Sequence, residues 1–367
     1  MRRCDVLIVG GGPAGSSCAR RLVASGLDVV VIDQARFPRD KTCAGWITPP
    51  VLERLGIDRT DYAQGRVLQP ITGFRVACGT GHEVRVNLGS VVSYGIRRCE
   101  FDAYLLERSG AAVHDGTRVN EIERTGSQWA VNGCFTAPML VGAGGHFCPV
   151  AKTLGARVSQ EAALLAQEAE WSGESRADPV EPLLVFFPDR RGYAWCFQKQ
   201  GFVNLGFGRL GGEALMPYRR QTMEMMRARG TLDTEPSGWH GHAYLTADAS
   251  RRRVLEDGVL LAGDSAGLAD PRSGEGILPA VESGLIAAET ILLAGGVYGR
   301  SRLAPYASRL SSRFPSQTTS WPVPESIAQG LMSLPLFVRE VVVKRWFLHL
   351  RPQFNRLVKL QPENMFP

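Results

Sequence analysis

Several common signals are missing from this chain. None of its eight cysteines (Cys4, Cys18, Cys43, Cys78, Cys99, Cys134, Cys148 and Cys196) forms a Cys-x-x-Cys pair. Their spacing fits neither a zinc site nor a dense disulfide frame, so reduced thiols in a cytoplasmic protein are expected. No stretch reaches the roughly 18 uninterrupted apolar residues of a membrane span. Met1-Arg2-Arg3 and the apolar run after it imitate a signal peptide until Gly10-Gly11-Gly12-Pro13 interrupts them. Internal repeats and low-complexity linkers are lacking too. Neither sign of charge dominates: 42 Lys and Arg stand against 36 Asp and Glu, a net charge of +6. That excess suits an anionic ligand or surface and does not call for nucleic acid. What is present is ordinary globular composition, 44% hydrophobic and 21% charged over 367 residues. This length is about twice a typical ~150-residue domain, so one large domain with insertions or two domains sharing a core is expected.

The first fifty residues carry a nucleotide-binding pattern. Asp5 to Val9 reads as a buried strand, Gly10-Gly11-Gly12-Pro13-Ala14-Gly15 fits G-x-G-x-x-G, and Cys18, Ala19, Leu22 and Val23 share a helical face. Gly26 stops that helix, and Val29 to Ile32 forms a second buried strand that ends at Asp33 and Gln34. Gly10 permits the tight turn, Gly12 lets backbone approach a pyrophosphate, and Gly15 allows close helix–strand packing. The helix start at Pro13 and Ala14 offers unpaired N–H groups and a positive dipole end to phosphate. A carboxylate near position 33 accepts from ribose hydroxyls and disfavours a 2′-phosphate, which points to FAD or NAD rather than NADP. A second match, Gly206 to Gly211, has neither a following strand nor a ribose acid and is read as a glycine-rich strand end.

A second block narrows the nucleotide. The strand Val259 to Ala262 leads into Gly263-Asp264-Ser265-Ala266-Gly267, then Asp270-Pro271, then Gly274-Glu275-Gly276-Ile277 and a helical pattern through Ala288. A carboxylate at a strand end can hold sugar-alcohol hydroxyls, while a helix opening at Gly276 can face phosphate or a ring carbonyl. FAD needs both together.

On these motifs the chain resembles the flavoprotein superfamily typified by p-hydroxybenzoate hydroxylase, and within it the geranylgeranyl reductase family, over residues 4 to about 300. Two strings favour the reductase branch. Phe37-Pro38-Arg39-Asp40-Lys41-Thr42-Cys43-Ala44-Gly45 is similar to its F-P-R-x-K-x-C-G-G, and Tyr193-Ala194-Trp195-Cys196-Phe197-Gln198 resembles its Y-x-W-x-F-P. The resemblance implies that Asp264 binds the ribityl hydroxyls, that Pro271 lies beside the isoalloxazine, and that Gly276 and Ile277 present N–H groups to its pyrimidine edge. Arg98, before Phe101-Asp102, is implied to approach the cofactor, and Val119 to meet the adenine. The candidate cofactor contacts are therefore Gly10, Gly12, Pro13, Ala14, Gly15, Asp33 and Gln34; Ala44 and Gly45; Arg98 and Val119; and Gly263, Asp264, Pro271, Gly274, Gly276 and Ile277. Three departures stand out: Ala44 replaces a glycine, Gln198 a proline, and Gly144 the aspartate of the superfamily's G-A-D-G. The last makes hydroxylase-type reduction by NADPH less secure.

In the implied family, hydride passes from reduced flavin to an isolated carbon–carbon double bond. Such a bond offers few polar handles, so positioning and water exclusion must carry catalysis. Tyr193, Trp195 and Phe197 alternate along a strand and would share one face as a substrate wall; sheet core is the competing reading. Cys43 is a candidate proton donor or packing group at the flavin, and Tyr193 a second candidate donor. His240-Gly241-His242 lacks an accompanying acidic or cysteine cluster and is read as structural or exposed, as are His146 and Cys148 in the Gly142–Val150 loop; no metal site and no Ser–His–Asp triad are assigned.

The expected fold class is α/β: a Rossmann-like FAD-binding domain (1–58, 96–153 and 250–305), an inserted antiparallel-sheet substrate domain (59–95 and 154–249), and a helical C-terminal region (306–367). The substrate should sit at the domain seam. From 334 to 350 the chain is apolar with basic interruptions, which fits either a peripheral membrane helix or a helix packed on the domain. The expected function is an FAD-dependent oxidoreductase reducing double bonds of a prenyl or other apolar substrate, with NAD(P)H, a reductase or a ferredoxin-like protein as electron donor. A flavin monooxygenase or halogenase acting on an aromatic ring, and a non-catalytic FAD-bearing electron-transfer protein, stay open as alternatives; the string W-x-W-x-I-P is not found.

Overall fold

Valine and isoleucine runs without polar alternation need cover on both faces, and here they receive it. Val6–Val9 and Val29–Ile32 are fully buried parallel neighbours, joined by the helix Pro13–Val23 as a βαβ unit. They form the middle of a six-stranded sheet in the order Leu255–Glu256, Val259–Leu261, Met139–Gly142, Val6–Val9, Val29–Ile32, Ala112–His114. All of its pairings are parallel except the short hairpin between Leu255–Glu256 and Val259–Leu261. The computed structural model describes residues 1–315 apart from 190, 212, 213 and 272. The basic helix expected at 334–350 lies outside them; of the C-terminal region, the helix Pro305–Arg313 is described.

The helix Ile277–Ala294 packs across Pro13–Val23 in the core of the parallel sheet. By length and composition it could cross a membrane, yet 72% of it is buried inside the molecule. That is the signature of a core helix, hydrophobic on nearly every side.

A second, seven-stranded sheet runs His240–Tyr244, Leu164–Ser172, Phe202–Leu210, Gly192–Lys199, Leu183–Phe186, Gly73–Cys78, Glu83–Asn87. It is not wholly antiparallel: Leu183–Phe186 pairs in parallel with Gly73–Cys78. These two strands come from the two separate insertions, and so long a connection removes the hairpin constraint that makes neighbours antiparallel. The helix Met216–Ala228 covers the outer face with Met223, Met225 and Met226. The inner face carries Phe74, Trp195 and Phe197. A three-stranded sheet pairs Trp46–Ile47 and Gln69–Ile71 with Ser93–Gly95, so the segments on either side of residue 58 share backbone hydrogen bonds.

Candidate active site

A cavity of about 790 Å³ opens where the parallel strands end and the inner face of the seven-stranded sheet begins. The C-terminal ends of such strands are where open α/β sheets bind ligands.

At the nucleotide end, Gly10, Gly12, Pro13, Ala14, Asp33, Gln34 and Val119 line the wall. Gly15 does not; a side chain there would run into the Gly10 carbonyl, so its role is the close helix–strand approach. Gly10 has φ +113° and sits against the Ala143 carbonyl, a position no larger residue fits. Beside Gly12, by contrast, the nearest atom to a hypothetical Cβ is Arg39 Nη2 at 3.5 Å. Backbone is therefore exposed to a ligand at that point, next to first-turn N–H groups that lack intrahelical partners. Asp33 accepts hydrogen bonds from Gly11 N–H at 2.7 Å and Ala35 N–H at 2.8 Å, which fixes its carboxylate at the strand end.

The middle of the cavity is strongly charged. Arg98, on the first turn of the helix Arg98–Glu107, donates two hydrogen bonds to Asp102 one turn later, at 2.9 and 2.8 Å. Asp102 also meets Arg39 at 3.0 Å. Burial pushes the Asp102 carboxyl up, but the two guanidiniums outweigh it and hold it below the usual range. The Arg-x-x-Phe-Asp spacing thus orients Arg98 towards the cavity. Asp264, in the turn Gly263–Ser265 after the strand Val259–Leu261, lies 3.7 Å from His242 Nε2, too far for a hydrogen bond. Burial acts against its charge, but His242, Lys41 and Arg98 keep its carboxyl ionised. Burial likewise pushes Lys41 down to about 8, with Asp264 opposing. It pushes His242 down as well. Across from Asp264, the 18-residue helix Ile277–Ala294 opens at Gly276 and Ile277, and both line the cavity. Pro271 is not in the wall; Ser273 and Gly274 occupy that stretch. Gly263–Gly267 also spells Gly-x-Ser-x-Gly, but Ser265 is fully buried and donates to Gly145 O at 3.1 Å, which leaves no exposed nucleophile.

The far end is aromatic. Strand pairing places Tyr193, Trp195, Ala166 and His242 on one face, and all four line the cavity, as do Cys43, Ala44, Trp46 and Tyr244. Phe197 shares the face but not the cavity: it packs behind Trp46, ring centroids 6.2 Å apart, with Phe74 beyond. Two residues along a strand is nearly 7 Å, enough to carry it past the end of the pocket. Gly206 explains the second glycine string, because a side chain there would collide with the Trp195 indole lying across it. Tyr193 donates its hydroxyl to Ser273 O at 2.8 Å, and burial raises its phenol further, so its proton is committed. Gly45 lies against Ile96 O, outside the wall, while its N–H points to Cys43 Sγ at 3.4 Å. Gln198, in place of the family's proline, ties down the hairpin through Ser175 N–H and Gln200 O.

Lys41, His242, Tyr244, Trp46 and Phe147 were not among the sequence candidates. Lys41 lay within the quoted cysteine motif and could have been found there. His242 could have been found only from the strand pairing that sets it opposite Ala166. Among the described residues no group of three or more His, Cys, Asp or Glu stands together for a metal.

These residues fit FAD. Two helix N-termini, a strand-end carboxylate at each half of the cavity, and a cationic centre meet in one space. Arg39 Nη1 and His242 Nε2 are buried there without a hydrogen-bond partner, a costly state that a ligand would relieve.

Comparison with known proteins agrees. A family model described as "FAD binding domain" matches residues 3–306. The chain is 31% identical over 321 residues to the menaquinone reductase of Mycobacterium tuberculosis strain H37Rv, covering 78% of this chain and 76% of that one. It is 26% identical over 333 residues to a digeranylgeranylglycerophospholipid reductase of Methanothrix thermoacetophila, covering 84% and 83%. A geranylgeranyl bacteriochlorophyll reductase-like structure from Thermoplasma acidophilum superposes with a TM-score of 0.78 at 19% identity, covering 98% and 99% of the two chains; at that identity the likeness concerns the fold.

Proposed function

Because the chain belongs to the FAD-binding-domain family and, within it, to the geranylgeranyl reductase group of flavoproteins, we propose that it reduces carbon–carbon double bonds of a prenyl chain carried on a polar head. The observation that carries this reading is the continuity of the cavity: the nucleotide-binding glycines, Asp264 and the Gly276 helix start share it with Tyr193, Trp195, Trp46 and Tyr244. Bound FAD supplies hydride transfer. The protein's own residues then have three tasks.

The first is to hold the cofactor: Asp33 and Asp264 accept from sugar-type hydroxyls, while the helix start at Gly12–Ala14 and the Arg39–Arg98 pair meet the pyrophosphate charge. The second is to align an alkene that offers no polar handle, which falls to the aromatic row and its exclusion of water. The third is to deliver a proton, since reducing an isolated double bond adds one hydride and one proton. Cys43 is the residue assigned to that step, because Tyr193 has its O–H engaged by Ser273. An NAD(P)H or ferredoxin-like donor, a cytoplasmic location and membrane contact through the basic segment at 334–350 belong to the same proposal.

The test is anaerobic. FAD-loaded protein reduced with dithionite is given menaquinone or a digeranylgeranyl glycerophospholipid, any quinol is re-oxidised to the quinone in air, and the prenyl chains of the products are weighed by mass spectrometry. Gain of two hydrogens per reduced bond supports the reading. No gain without oxygen, together with gain of one oxygen atom in air with NADPH, overturns it in favour of a monooxygenase.

A further inference from the structure

Beside the aromatic row, on the same face of the sheet, lies a buried polar network that no sequence motif announced. Asn204, 1% exposed, occupies the centre of the seven-stranded sheet, opposite Phe197 on one side and Glu170 on the other. Its Oδ1 accepts from Trp195 Nε1 at 2.7 Å, across the space that Gly206 leaves open. Its Nδ2 donates to Glu168 Oε2 at 2.7 Å, to Glu170 Oε2 at 3.2 Å and to Cys43 O at 3.3 Å. Lys199, fully buried, extends the same contact: its ammonium donates to Glu170 Oε2 at 2.6 Å, Ile96 O at 2.9 Å and Ala44 O at 3.0 Å. The sheet therefore grips two successive carbonyls of the cysteine loop, at Cys43 and Ala44, neither of which lies in a strand.

An apolar residue would serve mere packing at such a site, and a buried amide is costly unless every partner is in place. Here the partners are in place, and they end at two residues of the cavity wall, the Trp195 ring and the Cys43 loop.

We infer that Asn204 is a positioning residue, coupling the orientation of the Trp195 ring to the placement of Cys43 through one side-chain amide. The inference rests on the functional reading above for its catalytic meaning, but not for its test.

The test uses FAD-loaded Asn204→Ala and, because a buried cavity could prevent folding, Trp195→Phe as well. The second variant keeps an aromatic ring in the wall and removes the pyrrole half of the indole with the N–H that meets Asn204. Iodoacetamide labelling of Cys43 is followed by peptide mass spectrometry, with exposed Cys134 as internal reference. Each variant should change the Cys43 rate about three- to tenfold relative to Cys134, the span that losing one buried hydrogen bond supports. FAD stoichiometry should stay normal. With a prenyl substrate, KM should rise more than kcat falls, and the two substitutions combined should cost less than the product of their separate effects. An unchanged Cys43 rate in Trp195→Phe overturns the coupling. Because labelling needs no turnover, failure to reduce any prenyl compound would strike the functional proposal and leave this result standing.

Discussion

The two ends of the cavity are built by different means. At the nucleotide end the cavity wall is built from short contiguous strings, and much of it is backbone: first-turn N–H groups at Pro13–Val23, the helix start at Ile277, and glycines that clear the approach. At the aromatic end the wall is made of side chains, and each is held by partners on other strands or loops. Trp195 depends on Asn204 and Gly206; Asn204 depends on Glu168, Glu170 and the Cys43 loop. Backbone recognition of a constant cofactor needs only a local conformation. A pocket for a variable apolar substrate needs a shaped wall, which several strands must supply together.

Four perturbations sharpen this contrast. The largest effect is expected at the backbone end. Gly15→Ala drives a methyl group into the Gly10 carbonyl, with no flexible side chain to yield, and should destabilise the protein by more than ~4 kcal/mol or abolish soluble, yellow material. Normal thermal unfolding would show that the helix–strand contact is not what fixes the loop. Asp264→Ala should next weaken FAD about 100-fold or more, roughly 3 kcal/mol, read by flavin titration. Full flavin content after extensive dialysis would remove Asp264 from the binding role.

The third perturbation is a pH effect at the side-chain end. Burial pushes Glu168 up from 4.5 to about 7, against the opposing pull of Lys199 and Asn204. Between those values the folded protein keeps a proton that the unfolded chain has released. The stability from this group is therefore complete below about pH 4.5 and is lost as pH rises through 7, by roughly 3 kcal/mol. Glu168→Gln should flatten that decline, seen as a smaller difference between its Tm at pH 5 and at pH 7.5 than in the parent protein. Parallel Tm profiles would mean that Glu168 is already ionised at pH 5. The smallest effect is local: Trp195→Ala should raise KM for a prenyl substrate about tenfold, near 1.4 kcal/mol, with FAD content intact. If flavin is lost as well, the two ends are not separable in the way described.

Much of the nucleotide end was legible in advance. The apolar runs at 6–9 and 29–32, the glycine string between them and the acid at 33 each report a local conformation, and local conformation is what sequence spacing encodes. Gly12, Asp33, Arg98, Val119, Asp264 and Gly276 all reach the cavity. Pro271 and Phe197 do not, because motif position says nothing about where a wall ends. His242 reads as structural or exposed from the sequence because no acidic or cysteine cluster accompanies it in the chain; only its cross-strand partner, Ala166, brings it to Asp264.

By itself the sequence determined that strand, glycine turn and helix would follow one another around a dinucleotide, since each depends on residues a few positions apart. Tertiary structure alone decided which aromatic rings face the ligand, why Gly206 must be glycine, and how Asn204 joins Trp195 to Cys43. Those facts depend on contacts between segments separated by up to 161 residues of chain and on the register between strands, which is settled by the packing of the whole sheet rather than by any one of its segments.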